Sequence, residues 1–212
     1  MSRRRWILAG ILTVTAAAVT AVLLHTVLRE PADIVLWSDD PGVAVRVVEG
    51  DRSIDVELVG LPIVSGRVAY EGPRMSEDEN WKPLHAYAGV SLRSILNRAG
   101  VSEGFESVTI VAGDGWNKTI PADAIEGTTA CGTPILALSI DATPPSEWDD
   151  APVLVFLSED ERFSNQDMLE SFGPERSHYF GDEPATTGMM VKGVLFLVVD
   201  FAGGDLPSIL DL

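Results

Sequence analysis

Residues 86–125 constrain the fold of this chain more than any other stretch, because a helix signal and a hairpin signal follow one another there. Ser91 is suited to be the N-cap of a helix, since its hydroxyl can accept a hydrogen bond from the free amides of the first turn. Gly100 is suited to the left-handed residue that ends such a helix. Leu92, Ile95 and Leu96 share one helical face. The sequence therefore predicts a short amphipathic helix between Ser91 and Gly100.

The second half of this stretch predicts a β-hairpin. Residues 107–112 are rich in β-branched side chains, Gly113-Asp114-Gly115 supplies a turn, and residues 116–120 return as a second strand. Asp114 is interpreted as a turn former, with a catalytic acid as the alternative. Pro121 fits the first turn of a further helix.

The remaining pattern favours one α+β domain, mainly β, at residues 43–200. Residues 158–187 are expected to be irregular, with an insertion loop at 163–188. A final strand or strand pair is predicted at 189–200. The other predicted strands lie at 43–48, 54–58, 64–70, 135–140 and 153–157.

The order of these motifs resembles a known family. Tyr87-Ala88-Gly89-Val90 leads into the helix, Ala99-Gly100-Val101 ends it, and Val108-Thr109-Ile110-Val111 precedes Asp114-Gly115-Trp116. The segments 133–138, 141–145, 151–156 and 191–196 then follow in the family's order. Over residues 54–199 this arrangement is similar to the pterin-binding domain of the sulfite oxidase family, also called the molybdopterin-dependent oxidoreductase fold. The resemblance implies that fold, but function does not follow from fold.

The resemblance also implies where a molybdenum cofactor would bind. Catalytic members of the family hold the metal through a cysteine thiolate, a soft anionic ligand, in the loop after the strand that corresponds to 64–70. In this chain the loop reads Tyr70-Glu71-Gly72-Pro73-Arg74, without cysteine. Family members also clamp the pterin phosphate with an arginine in a later strand. The matching strand here has Val153 and Leu154, followed by the acidic residues Glu159, Asp160 and Glu161. We therefore expect no cofactor, with molybdopterin as the alternative.

Other catalytic and metal-binding patterns are weak. Cys131 is the single cysteine of the chain, so it has no internal disulfide partner, and we interpret it as a small buried packing residue. The acidic run could hold a hard cation together with Asp167, but no calcium-loop spacing is present and a solvated charge run is the alternative. His85 and His178 are far apart in sequence, and Ser177-His178 lacks the nucleophile elbow of a hydrolase. We predict no catalytic residue and no metal ligand.

An apolar segment near the N-terminus predicts a membrane anchor. Residues 6–28 contain no Asp, Glu, Lys or Arg and are long enough to cross a bilayer. Arg3, Arg4 and Arg5 precede them, so residues 1–5 are expected in the cytoplasm and the domain outside it. A linker at 29–42 and a tail at 201–212 complete this organisation. A cleaved signal peptide, with small residues at 17–21, is the alternative.

Beyond the predicted anchor the chain is strongly acidic. It has 12 Lys and Arg against 32 Asp and Glu after residue 28, a net charge of −20. Nucleic acid is an unsuitable partner for such a surface, because phosphate binding needs a basic face. Solubility, an acid-rich proteome and a basic protein partner are the three explanations that the composition leaves open.

The insertion at 163–188 carries the predicted partner surface. Long insertions in compact domains are usually functional or mobile, and exposed aromatic residues make docking surfaces. The alternative is that these side chains pack on their own sheet. The predicted docking residues are Phe163, Met168, Phe172, Tyr179 and Phe180.

Together these patterns predict a membrane-anchored, extracytoplasmic binding or scaffolding subunit. Its partners would be other subunits of a membrane complex, a redox complex among the options, or a basic protein. A divergent molybdopterin-dependent oxidoreductase is the alternative.

Overall fold

A computed structural model describes residues 43–74, 80–101 and 103–201, which form a mainly β fold of two five-stranded sheets. The first sheet has the strand order β2-β1-β12-β5-β6. Strands β1 and β12 run parallel, and the other neighbours are antiparallel. Its members are β1 (Ala44–Glu49), β2 (Arg52–Glu57), β5 (Phe105–Ala112), β6 (Asn117–Pro121) and β12 (Val194–Phe201).

The second sheet has the strand order β8-β7-β4-β3-β9, with only the β3–β9 pair parallel. The outer edge of β8 is covered: the amide of Leu154 donates to the carbonyl of Val191 over 2.8 Å. The amide of Phe156 donates to the hydroxyl of Tyr70 over 2.7 Å, so a side chain satisfies a backbone donor at this edge. Its members are β3 (Ile63–Tyr70), β4 (His85–Ser91), β7 (Thr133–Ile140), β8 (Val153–Leu157) and β9 (Arg162–Phe163).

The predicted helix after Ser91 is confirmed as α1 (Leu92–Ala99). The Ser91 hydroxyl accepts from the amide of Ser94 over 3.2 Å, and Gly100 ends the helix with φ of 69°. Pro121 directly precedes the four-residue helix α2 (Ala122–Ile125). The Asp114 turn is also confirmed, because a side-chain oxygen of Asp114 accepts from the amide of Trp116 over 2.9 Å.

The prediction of an irregular segment at 158–187 is wrong. This segment contains β9, the helix α3 (Asn165–Phe172), the two-stranded hairpin β10 (Tyr179–Phe180) and β11 (Glu183–Pro184), and a 3-10 turn at Thr186–Met189. A capping box starts α3: Ser164 and Asp167 exchange side-chain and backbone hydrogen bonds. The final strand begins at Val194 and not at Met189, because Met189 ends the 3-10 turn and Gly193, just before the strand, has a φ of 60°.

One large hydrophobic cluster takes side chains from both sheets and from all three of these helices. Phe156, Leu136, Ile95, Ile125 and Met168 are among its buried members. In the described residues no helix is long and apolar enough to cross a membrane. The predicted anchor at 6–28 and linker at 29–42 lie outside these residues, as does the predicted tail beyond Phe201.

Candidate functional site

Residues 70–74, the described start of the loop after β3 where the resemblance implies a metal ligand, are held by internal hydrogen bonds. Tyr70, at its start, is 3% exposed, and its hydroxyl accepts from the Phe156 amide. Burial raises the pKa of Tyr70 well above its ordinary value, which keeps the phenol neutral. Tyr70 therefore serves the packing of β3 against β8.

Glu71 ties the same loop to the segment that follows β9. One carboxylate oxygen accepts from the amide of Asn165 over 2.8 Å, and the other accepts from Nε of Arg74 over 3.1 Å. The carbonyl of Glu71 accepts from the hydroxyl of Thr186 over 2.7 Å. The Glu71 side chain is only 3% exposed, so its carboxylate depends on the Asn165 amide and the Arg74 guanidinium for compensation.

Cys131 is fully buried, which confirms the prediction of a packing residue. Its amide donates to the hydroxyl of Ser171 over 2.9 Å, and its Sγ lies 3.1 Å from the hydroxyl of Thr129. Burial raises the pKa of the Cys131 thiol, so the thiolate that a soft metal requires is disfavoured.

These donors do not fit the molybdenum group that the resemblance implies. Described residues 70–74 offer a buried phenol and a carboxylate already held by two partners, and Cys131 is an enclosed thiol whose pKa is raised by burial. Within the described ranges, no three His, Cys, Asp or Glu side chains are grouped so that they could hold a metal ion.

The acidic residues after β8 take part in local structure. Asp160 accepts from the hydroxyl of Ser158 over 2.7 Å and from the amide of Arg162 over 3.0 Å, and these bonds lower its pKa. Asp167 belongs to the capping box of α3. Both residues line an open polar cavity of about 450 Å³ beside residues 127–133.

Three of the five predicted docking residues are buried, which corrects the prediction for them. Phe163, Met168 and Phe172 are 0%, 0% and 2% exposed. Met168 and Phe172 are one turn apart on α3 and therefore share its inward face. The ring centre of Phe163 lies 5.1 Å from that of Phe156 and 5.6 Å from that of Tyr70. The alternative, packing on their own sheet, holds for these three side chains.

The other two predicted residues lie on the β10–β11 hairpin, where Tyr179 is half-buried and Phe180 is 57% exposed. Phe180 belongs to a surface cluster that the sequence analysis did not assemble. Its ring centre lies 5.0 Å from that of His178, which lies 5.5 Å from that of Trp116. Trp116 is itself 44% exposed. We call Trp116, His178 and Phe180, together with Lys118, the aromatic cluster.

Lys118 gives the aromatic cluster a positive charge. Its ammonium lies 5.2 Å from the centre of the Trp116 ring, within the range of a cation–π contact. The ammonium also lies 3.3 Å from Nδ1 of His178, although the two residues are 60 positions apart in the chain. Burial lowers the pKa of Lys118, and burial and the Lys118 charge both lower the pKa of His178. His178 is therefore held neutral beside a cation.

A cavity of about 330 Å³ opens beside the aromatic cluster. Gly188 forms part of its wall, and a Cβ atom there would lie 1.8 Å from Cδ2 of His178. The absence of a side chain at Gly188 therefore allows the His178 ring to occupy its position. The remaining lining residues are Asp114, Trp116, Phe180, Thr187, Met190 and Lys192.

The two described histidines lie in separate pairs. Nδ1 of His85 is 2.6 Å from a carboxylate oxygen of Asp141, and His178 pairs with Lys118. The one sequence signal for the cluster was the placement of Trp116 and Lys118 on the hairpin after Gly115. No signal linked that hairpin to His178.

Comparison with known proteins adds no family. No protein-family model matches this chain, and no curated protein matches it. The similarity to the sulfite oxidase family therefore stays a prediction that rests on the motifs quoted above.

Proposed function

We propose that this protein is a membrane-anchored, extracytoplasmic binding or scaffolding subunit whose domain has the sulfite oxidase pterin-domain fold without its cofactor. It acts within a membrane complex, and redox complexes are among the candidates. The observation that carries the proposal is the exposure of the aromatic cluster, with Trp116 and Phe180 about half in solvent. Aromatic residues in such a setting are enriched at protein interfaces.

Three further observations support the proposal. Tyr70 and Glu71, at the described start of the loop after β3, are engaged in packing and internal hydrogen bonds, and the family's cysteine ligand is missing from the loop sequence. Residues 6–28 have the length and composition of an anchor. The net charge of −20 beyond that segment, from 12 basic and 32 acidic residues, suits a basic partner surface.

The test places a photoreactive phenylalanine analogue at Phe180 in the full-length protein, in its own membranes. The matched control places the same group at Val59, which is also exposed but lies in the turn between β2 and β3. We expect Phe180, and not Val59, to cross-link to a membrane protein that also co-purifies in fixed proportion in mild detergent.

Two results would overturn the proposal. A strictly monomeric isolate that cross-links from neither position would contradict the role of a subunit. Metal and pterin analysis of the same preparation provides the second criterion. Molybdenum or tungsten near one atom per chain, with releasable pterin, would instead establish a divergent molybdopterin-dependent oxidoreductase.

A further inference from the structure

Lys118 and His178 form a polarised hydrogen-bond donor at the cavity beside the aromatic cluster. An ammonium can only donate, so Nδ1 of His178 accepts from Lys118, and the neutral ring then carries its proton on Nε2. Among the described residues, none accepts a hydrogen bond from Nε2 or pairs a carboxylate with Lys118. A donor that is itself hydrogen-bonded to a cation is strengthened. This side of the cavity is therefore suited to an acceptor with negative charge.

The walls of the cavity are suited to an apolar group next to that acceptor. Trp116, Phe180 and Met190 supply apolar surface. The volume of about 330 Å³ is at the small end of ligand pockets, which begin at about 300 Å³. Such a cavity accommodates one side chain with a polar end group rather than a large cofactor.

The charges around the cavity indicate the rest of the ligand. At its rim, Lys192 is paired with Asp150 over 2.7 Å, while Asp114 binds the amide of its own turn. Asp182 and Glu183 are exposed on the hairpin that carries Phe180. The half-buried Lys118 is less screened by solvent than these exposed carboxylates. A terminal negative charge on the ligand would complement His178 and Lys118. Positively charged residues next to that terminus would complement the exposed carboxylates.

We propose that this cavity binds the C-terminal carboxylate and the last apolar side chain of a partner polypeptide whose preceding residues are basic. The carboxylate accepts from Nε2–H of His178, the apolar side chain lies between Trp116 and Phe180, and the basic residues face the exposed carboxylates of Asp114, Asp182 and Glu183. The inference rests on the proposed function, since it names the chemical group that the binding subunit recognises.

The test measures binding of a short probe to the full-length protein in lipid nanodiscs by calorimetry. The probe is acetyl-Lys-Lys-Gly-Ala-Phe with a free C-terminus, and its control is the same peptide with a C-terminal amide. Free 3-phenylpropanoate tests whether a carboxylate and an aromatic group, without the basic residues, are sufficient for binding. We expect the free-acid peptide to bind at least roughly tenfold more tightly than its amide, because the amide loses a charge-assisted hydrogen bond.

Variants of the protein locate the site. His178→Phe keeps an aromatic ring but removes the donor, and Lys118→Met keeps an apolar stem but removes the charge. Each variant is expected to weaken binding of the free-acid peptide by roughly tenfold or more. Lys82→Met removes an exposed charge outside the cavity and should leave binding unchanged. In NMR spectra, a change in the chemical shifts of the His178 ring when the peptide is added would show that the peptide binds next to His178.

Several results would overturn the inference. They are equal binding of acid and amide, no saturable binding of either, full affinity in His178→Phe, or 3-phenylpropanoate binding as tightly as the peptide. The last result would assign the cavity to a small free acid. The proposed function fails separately: if Phe180 still cross-links to its partner while the peptide does not bind, the docking surface stands and the carboxylate assignment falls.

Discussion

Replacement of Phe163 by alanine separates a core role for the 163–188 segment from a docking role. Phe163 is fully buried and its ring contacts Phe156, Phe172 and Tyr70. Burial of a phenylalanine stabilises by about 1.5–3 kcal/mol, and each aromatic pair adds about 0.5–1.5 kcal/mol. Truncation also leaves a cavity, and buried Phe→Ala changes cost about 3–5 kcal/mol. We therefore expect Phe163→Ala to lower the free energy of unfolding by about 3–5 kcal/mol.

This loss is a large share of a typical domain stability of about 5–15 kcal/mol. For a domain of this size, 1 kcal/mol corresponds to about 2–4 °C in Tm, so the midpoint should fall by about 6–20 °C. The assay is thermal unfolding of the purified full-length protein followed by circular dichroism. The matched control is Phe180→Ala, which removes the same side chain from a position that is 57% exposed and should change stability by no more than about 0.5 kcal/mol. A loss below about 1 kcal/mol for Phe163→Ala, or a larger loss for Phe180→Ala, would refute the assignment of these residues to core and surface.

Two further predictions concern the hydrogen-bonded loop and the histidine of the aromatic cluster. Asn165→Ala removes the acceptor of the Thr186 amide and the donor to the Gly72 carbonyl, and because both lie in buried surroundings we expect a loss of about 1–3 kcal/mol in chemical denaturation. Gln166→Ala, which loses only an exposed contact with Glu170, is its control, and an equal effect of the two changes would contradict the buried network. The second prediction follows from the lowered pKa of His178, whose ordinary value is 6.5. The unfolded chain then binds this proton more tightly, so the stabilising contribution is complete above pH 6.5 and is lost as pH falls from there through the folded pKa. The difference in unfolding free energy between the wild-type protein and His178→Phe, measured from pH 8 to about pH 5.5, should decrease accordingly; a flat difference would show that folding leaves this pKa unchanged.

Local signals predicted much of the fold. The Ser91 cap, the Gly100 terminus and the Asp114 turn are as expected, because each depends on hydrogen bonds between residues a few positions apart. Strands with runs of β-branched residues, such as β5, were also located. In contrast, β4 reads His-Ala-Tyr-Ala-Gly-Val-Ser, a sequence of weak strand propensity. Its pairing with β3 and β7 determines its conformation, and that pairing is a tertiary property.

The helix α3 was missed although a signal was present. Ser164 and Asp167 have the spacing of a capping box, with Asp in place of the usual Glu or Gln, and Met168 and Phe172 follow one turn apart. Because the segment was predicted to be a loop, all five candidate docking residues were expected to behave alike. Burial divides that set, because Phe163 and Phe172 pack against Phe156 in the core while Phe180 on the β10–β11 hairpin is exposed.

The sequence by itself determined the charge of the protein, the apolar segment at 6–28, the isolation of Cys131 and the alternation of short strands with few helices. These properties depend on composition and on neighbours along the chain. The tertiary structure alone decided which aromatic residues are exposed and which histidine meets Lys118. Lys118 and His178 are 60 positions apart, and no local rule relates them. Their contact depends on the packing of the β5–β6 hairpin beside the segment that ends at Gly188, where the lack of a side chain leaves room for the imidazole.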